Sequence, residues 1–176
     1  MDDGLAAQHA VLMELRRRGY DVQLFGQDLL SDDVRAELAK TQSLIRWLPD
    51  LAVSGSPHGM VMVDVKSATG ANRASPNYAI EMRSILAGEM TQLKVVYVFH
   101  DARYISVHRV RDKITRTCCR DCAEAFDARR DDLLPRYCPR YLHRRSAGAS
   151  GTPFALIPKC DCPPVDAAFP VLGGAA

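Results

Sequence analysis

The 176-residue sequence has little of three things: long apolar runs, cysteine and net charge. No apolar run approaches the roughly 20 residues of a bilayer-spanning helix, so we expect no membrane partner. The 6 cysteines are too few for a disulfide scaffold. Basic residues exceed acidic ones by only 2, which excludes a uniformly basic coat for nucleic acid.

The first residues also lack the character of a secretory signal, because Asp2 and Asp3 are acidic and lead into a polar helix. We therefore expect a cytoplasmic, intracellular protein in a prokaryotic or phage-like setting. In a reducing compartment, clustered cysteines favour metal binding over disulfides.

What is present is ordinary globular composition, with 47% apolar and 25% charged residues. Hydrophobic periodicity predicts helices over 4–18, 31–40 and 77–90, and strands over 20–25, 43–48, 60–65, 95–99 and 104–110. We predict a last strand over 153–158 and a loose tail over 160–176. This order indicates an α/β fold with a mixed central sheet flanked by helices.

Charge is distributed unevenly along the chain. Residues 101–145 hold 12 Lys or Arg against 7 Asp or Glu, a local charge of +5, while the remainder carries −3. The same segment holds four of the 6 cysteines. We therefore divide the chain into a core over 1–112, a Cys-rich basic segment over 113–145, and a linker, strand and tail over 146–176.

The most informative motif is Pro49-Asp50 followed by Asp64-Val65-Lys66. Asp64 interrupts an apolar strand, and a buried carboxylate is costly unless it is paired or binds a metal. A hairpin would bring Asp50 close to Asp64, and two adjacent carboxylates favour a divalent cation such as Mg²⁺. Lys66 projects from the same face of the strand as Asp64. There it can assist the attacking water and stabilise charge on a phosphate, which indicates phosphodiester hydrolysis.

In this strand–turn–strand setting the motif resembles that of the PD-(D/E)XK nuclease superfamily, whose fold is restriction-endonuclease-like. The family's order of helix, three strands, helix and strand is similar to the elements predicted over 4–100. The opening helix from Gly4 to Gly19 resembles that of Holliday-junction-resolvase-like members. Those helices commonly carry a glutamate that helps to build the metal site, and the matching position here is Gln8.

The resemblance implies a Mg²⁺- or Mn²⁺-dependent DNA endonuclease acting in recombination or repair. Asp50, Asp64 and the Val65 carbonyl would bind the metal. Lys66 would assist the attacking water, and Gln8 would complete the site. Branched or Holliday-junction DNA is the expected substrate, and a homodimer would present two active sites to two strands.

Plainer interpretations of the same residues stay open. Asp50 could be a turn residue, and Asp64 with Lys66 a surface ion pair on an edge strand. Gln8 could be a hydrogen-bonded core glutamine. Ser67 follows the lysine and could contact substrate, and Asn77 could either cap the second helix or meet a DNA phosphate there.

The cysteines suggest a second metal. Cys119 and Cys122 form a CxxC pair, and Cys138 with His143 follows 16 residues beyond Cys122, a separation that suits a structural Zn²⁺ site. Cys118 could replace Cys119, and Cys160 or Cys162 could supply the fourth ligand. The pair lacks the strand-to-helix setting of a thioredoxin motif, which makes redox chemistry the less favoured alternative.

Arginines surround these cysteines, with Tyr137 and Tyr141 among them. They suit phosphate contacts and base stacking, or form a solvated surface balanced by acidic neighbours. The arginines are Arg116, Arg120, Arg129, Arg130, Arg136, Arg140, Arg144 and Arg145. The alternative function is a catalytically inactive, zinc-containing nucleic-acid-binding module or an accessory subunit of a larger complex.

Overall fold

The structure, a computed structural model, describes residues 3–41, 43–56, 59–67, 75–117, 119–128, 130 and 154–172. The helices in this part of the chain are α1 (Asp3–Arg17), α2 (Asp32–Ala39), α3 (Met82–Met90), α4 (Val107–Thr117) and α5 (Arg120–Asp127). The strands are β1 (Asp21–Leu24), β2 (Leu51–Ser56), β3 (Gly59–Lys66), β4 (Asn77–Glu81), β5 (Lys94–Phe99), β6 (Tyr104–Ser106) and β7 (Phe154–Pro158). None of the helices described is both long and apolar enough to cross a membrane.

A five-stranded sheet in the order β1-β2-β3-β5-β6 forms the centre of the fold. The first three strands pair antiparallel, β5 joins β3 in parallel, and β6 pairs antiparallel with β5. The apolar runs of β3 and β5 follow from this position, because a central strand with helices on both faces is buried on both sides. The predicted α/β class with a mixed sheet flanked by helices is confirmed.

The two faces of the sheet bury different sets of side chains. On one face, Leu12 and Leu15 of α1 pack with Val61 and Val63 of β3 and with Val96. The other face forms a second cluster with α3 and α4. Alternate strand residues supply the two clusters, as the period of two requires. Leu5 of α1 is 47% exposed and is not part of this buried cluster.

The predicted second helix over 77–90 is wrong in its first third. Residues Asn77–Glu81 form β4, and the helix begins at Met82 with Glu81 as its N-cap. Asn77 therefore does not cap a helix. Tyr78 and Ile80 alternate with half-buried residues, and β4 pairs antiparallel with β7 in a small second sheet. That partner lies more than 70 residues away in sequence, so local helix propensity was overridden by a long-range pairing.

The first strand of the hairpin and the strand after β5 also differ from prediction, since β2 is Leu51–Ser56 and does not fall in 43–48. Residues 43–48 contain a 3₁₀ turn, Leu44–Trp47, capped by Ser43, whose side chain accepts from Ile45 N. The strand predicted over 104–110 ends at Ser106, and α4 begins at once with Val107. That helix continues across the predicted boundary at residue 112.

The predicted tail over 160–176 is wrong for its described part. Strand β7 confirms the predicted last strand, and the chain then continues through two 3₁₀ turns, Lys159–Asp161 and Val165–Ala167. Phe169 is buried against the ring of Tyr20 at 5.5 Å, and Leu172 N donates to Arg18 O at 2.8 Å. Prolines keep this segment irregular, yet its apolar side chains cover the end of α1.

Candidate active site

A hairpin does join the two aspartates, but its first strand is Leu51–Ser56 rather than the predicted 43–48, so Asp50 lies just before β2 instead of at the end of a strand. Leu51 pairs with Val63, so Asp50 lies across from Asp64. Asp50 N donates to Val63 O at 3.0 Å, and the Asp50 carboxylate accepts from Val65 N at 2.7 Å. Beyond the start of β2, the Asp50 carboxylate thus accepts the hydrogen bond from β3 that a neighbouring strand would otherwise accept.

The Val65 carbonyl points to the same edge as Asp50. Val63 directs its carbonyl toward Asp50, and residues two apart on a strand have the same orientation. Beyond that point the backbone N–H of Val65 meets a carboxylate rather than another strand. The predicted oxygen donors Asp50, Asp64 and Val65 are therefore grouped at one end of β3.

Asp64 lies at the centre of a buried polar network. It is 5% exposed, and its two carboxylate oxygens have different partners. Oδ1 lies 2.8 Å from Lys66 Nζ, and Oδ2 accepts a hydrogen bond from Ser84 Oγ at 2.7 Å. Because Ser84 gives its proton to the carboxylate, Tyr97 is the donor across the 3.2 Å between the two hydroxyls. The ion pair is not the exposed surface pair of the plainer interpretation.

Electrostatics keep the Tyr97 hydroxyl and the Lys66 ammonium group protonated. Burial raises the pKa of Tyr97 well above its usual value, and the charge of Asp64 raises it further. Burial alone would lower the pKa of Lys66, but the charges of Asp64, Asp50 and Glu81 outweigh this and raise it. Lys66 is thus an ammonium group at neutral pH, and it lies 5.6 Å from the centre of the Tyr97 ring.

Glu81 is a neighbour of this site that the sequence analysis did not assign to it. Its carboxylate accepts from Trp47 Nε1 at 2.9 Å, and it influences both Lys66 and Tyr97 electrostatically. The guanidinium groups of Arg46 and Arg83 lie 4.6 Å and 5.0 Å from the centre of the Trp47 ring. The signal in the sequence was the alternation of residues 77–81, which the helix prediction obscured.

Gln8 is buried, as its place on the apolar stripe predicted, with 7% of its surface exposed. It belongs to α1, which packs on the face of the sheet that carries Val61 and Val63. Asp64 and Lys66 project from the other face, beside Ser84 of α3. Participation of Gln8 in the metal site stays a prediction.

Ser67 and Asn77 both lie beside Lys66. With Tyr78 and His100 they line a small hollow of about 20 Å³. Tyr78 is fixed there, because its hydroxyl donates to Asp101 at 2.6 Å and its ring stacks on Phe99 at 3.6 Å. Both predicted contact residues are therefore adjacent to the candidate site.

A larger cavity of about 390 Å³ opens on the far side of Ser67. Its walls are mainly apolar and come from α1, the end of β5 and the C-terminal segment, including Ala6, Ala10, Val98 and Val165. The polar groups at its margin are Glu14, Arg18, Ser67 and His100. Ser67, Phe99 and His100 also line the small hollow, so the two spaces are neighbours.

The donor set at the end of β3 fits a magnesium or manganese ion. Across the residues that the structure describes, no three His, Cys, Asp or Glu side chains lie close enough together to hold a metal. Mg²⁺ does not require three, since it commonly binds through one or two carboxylates and keeps several waters. Asp50, Asp64 and the Val65 carbonyl provide such hard oxygen ligands.

The predicted zinc ligands are described only in part. Cys119 Sγ and Cys122 Sγ lie 3.3 Å apart, whereas Cys138 and His143 lie outside the described residues, as does Cys118. Neither Cys160 nor Cys162 joins the pair in a described cluster of three metal-binding side chains. The zinc site therefore stays a prediction.

The predicted nucleic-acid contacts of the basic segment are likewise described only in part. Arg116, Arg120 and Arg130 are exposed, and Arg120 pairs with Glu124 at 2.6 Å. The remaining arginines named for this role lie outside the described residues. They are Arg129, Arg136, Arg140, Arg144 and Arg145.

No protein-family model matches the chain, and no match was found among curated proteins or among solved structures.

Proposed function

We propose that the protein is a metal-dependent DNA endonuclease with a restriction-endonuclease-like core. The observation that carries this proposal is the grouping of Asp50, Asp64, the Val65 carbonyl and Lys66 at the end of β3. Two carboxylates beside an ammonium group suit the hydrolysis of a phosphodiester. A metal held by the carboxylates and the ammonium group together would stabilise the negative charge that develops on the phosphate in the transition state.

The order and direction of the elements support the same core. Helix α1 is followed by three antiparallel strands, and α3 then precedes β5, which returns parallel to β3. This order is similar to the helix, three strands, helix and strand of the PD-(D/E)XK resemblance, with α2 added between β1 and β2. Strand β4 is an addition between β3 and α3 that pairs outside the central sheet.

The described residues divide the work of the site among them. A bound Mg²⁺ or Mn²⁺ would supply Lewis-acid polarisation of the phosphate and a more acidic attacking water. Asp50 and Asp64 would hold the ion, and the hydroxyl of Ser84 fixes the plane of the Asp64 carboxylate. Lys66, which lies 2.8 Å from Asp64 Oδ1, would stabilise charge on the phosphate and assist the attacking water.

The cavity beside Ser67 favours a substrate with unpaired nucleotides, such as flap or four-way DNA. At about 390 Å³ it has the size of a small-ligand site, and its apolar walls suit the face of a base. The cavity shares Ser67, Phe99 and His100 with the hollow beside Lys66, so a base displaced from the duplex next to the cut phosphate would lie close to it. A homodimer would bring two such sites to two strands of a junction.

Cleavage assays test this function directly. The purified protein is incubated with Mg²⁺, Mn²⁺ or EDTA on single-stranded, duplex, flap and four-way DNA. We expect metal-dependent cutting, strongest on the branched substrates. Asp64→Asn should lower kcat/KM by roughly 10³-fold, because several kcal/mol of charge stabilisation is lost. The matched control is Asp33→Asn, an exposed aspartate in α2 that should leave the rate unchanged.

The second candidate is a nucleic-acid-binding module without catalysis, favoured by the glutamine at position 8 where the related nucleases carry glutamate. The same assay separates the two. If the wild type and Asp64→Asn bind DNA equally and neither cuts any substrate with either metal, the endonuclease proposal fails and the binding module stands.

A further inference from the structure

The function proposed above does not use the cysteine pair at the start of α5. Cys119 is the N-cap of this helix, because its carbonyl accepts from Ala123 N at 3.2 Å. Cys122 follows in the first turn. Helix geometry directs the side chains of these two positions toward each other, as it does in a capping box. The resulting Sγ–Sγ distance is 3.3 Å.

The two sulfurs differ in their access to solvent. Cys122 is fully buried in the cluster that contains Ile114 and Ala125. Cys119 is half-buried and packs against the same cluster from outside. A reagent in solution can therefore reach Cys119 first, while Cys122 lies directly behind it.

A disulfide between them requires little movement. The bonded distance is about 2.05 Å, so the sulfurs must approach by roughly 1.2 Å, which side-chain rotation at the N-cap can provide. The backbone of α5 need not unwind, since the two residues are already three apart on one helical turn.

We propose that Cys119 and Cys122 form a redox-active dithiol that exchanges with low-molecular-weight disulfides of the glutathione type. The Cys119 thiolate attacks one sulfur of the small disulfide, forms a mixed disulfide and releases one thiol. The Cys122 thiolate then attacks Cys119 Sγ and releases the second thiol. Two protein thiols are oxidised to one disulfide, and one small disulfide is reduced to two thiols.

This use of the pair competes with its use as zinc ligands, because sulfurs joined in a disulfide cannot bind the metal as thiolates. It also does not depend on the nuclease proposal, since the pair lies on α5 and the carboxylates lie on the β2–β3 hairpin. The two proposals can therefore fail separately.

The test uses the full chain, purified without chelators or reductants and equilibrated in mixtures of oxidised and reduced glutathione. Remaining thiols are alkylated and the peptides are mapped by mass spectrometry. We expect a peptide containing both Cys119 and Cys122 that has lost two hydrogens. Dithiothreitol should reverse the change, and its extent should follow the glutathione ratio. Cys119→Ser should abolish it, and Cys160→Ser, at an exposed cysteine outside the pair, should leave it unchanged.

Cys122→Ser adds a second readout, because Cys119 should then stop at the mixed disulfide with glutathione. If this buried substitution unfolds the protein, the peptide maps of the wild type and of Cys119→Ser are sufficient to test the proposal. The proposal is overturned if Cys119 pairs with another cysteine or if no disulfide forms at any glutathione ratio. Stoichiometric zinc that protects both thiols until a chelator removes it would overturn it as well, and would establish the zinc site.

Discussion

The two faces of the central sheet are built from alternate residues of the same strands, yet they differ sharply in chemistry. Toward α1, Val61 and Val63 of β3 meet Val96 and Val98 of β5 in an apolar layer. Toward α3, the next residues along the same strands include Asp64 and Tyr97, joined through Ser84. One strand thus provides core packing alone on one side, and core packing together with a polar site on the other.

The difference has an energetic reason. A carboxylate in the apolar layer would lose its hydration with nothing to replace it. On the α3 face Asp64 receives a hydroxyl and an ammonium, and Lys66 is held charged by three carboxylates. The polar site is consequently confined to the α3 side of β3, and substitutions on the α1 side should be able to change stability alone.

The largest effect on stability alone is expected from the α1 face. Leu12→Ala removes a buried side chain from α1 and should lower the free energy of unfolding by about 2–5 kcal/mol, through lost transfer energy and a residual cavity. Urea denaturation measures this change. Under conditions where the variant remains folded, its cleavage rate should stay within about twofold of the wild type. A loss of activity as large as that of Asp64→Asn would show that the two faces are not independent.

The sequence was sufficient to predict three strands of the central sheet, because their local patterns are clear, but it placed the hairpin partner of β3 at 43–48 rather than at Leu51–Ser56. Alternation and apolar runs indicated β1, β3 and β5, and the turn between residues 55 and 59 indicated the hairpin. It failed at β4, whose five residues continue into a helix and depend on β7 for their pairing. The C-terminal segment failed for a related reason, since its burial comes from α1 and residues near Ala102 rather than from any local period.

The candidate site divides in the same way. Asp50, Asp64 and Lys66 could be predicted because the hairpin makes them local, and their types and spacing indicate a chemistry. Ser84, Tyr97 and Glu81 come from α3, β5 and the end of β4, and as single residues they carry no motif. The β3–β5 pairing places Tyr97 beside Asp64, and the packing of β4 and α3 over the sheet brings Glu81 and Ser84 to the same place.

Ser84 offers a way to test how the polar face works. Ser84→Ala removes the hydroxyl that donates to Asp64 Oδ2. The Asp64 carboxylate should then lose its fixed orientation. Loss of such a partner behind a metal ligand typically costs 10–100-fold in metal affinity or activity. We expect the Mg²⁺ concentration for half-maximal cleavage to rise by about that factor, as measured by metal titration of the cleavage rate.

The control is Ser106→Ala, since the Ser106 hydroxyl accepts only a local hydrogen bond from Arg109 N at the start of α4. It should leave the metal titration unchanged. If Ser84→Ala instead lowers the denaturation midpoint and leaves the metal requirement as it was, Ser84 is a packing residue and has no part in positioning Asp64.

The smallest effect is expected at the cavity, where the apolar wall of α1 comes close to the polar site through Ser67. Ala10→Trp should fill much of this space from an exposed helix position, and Met13→Trp places the same ring on α1 outside the cavity lining. Because stacking of a base contributes about 1–3 kcal/mol, we expect Ala10→Trp to slow cleavage of flap DNA roughly five- to tenfold. Cleavage of DNA paired throughout should change little in either variant, and Met13→Trp should match the wild type on both substrates. Equal slowing of flap and paired DNA by Ala10→Trp would mean that the cavity receives no unpaired base and that the ring disturbs the site itself.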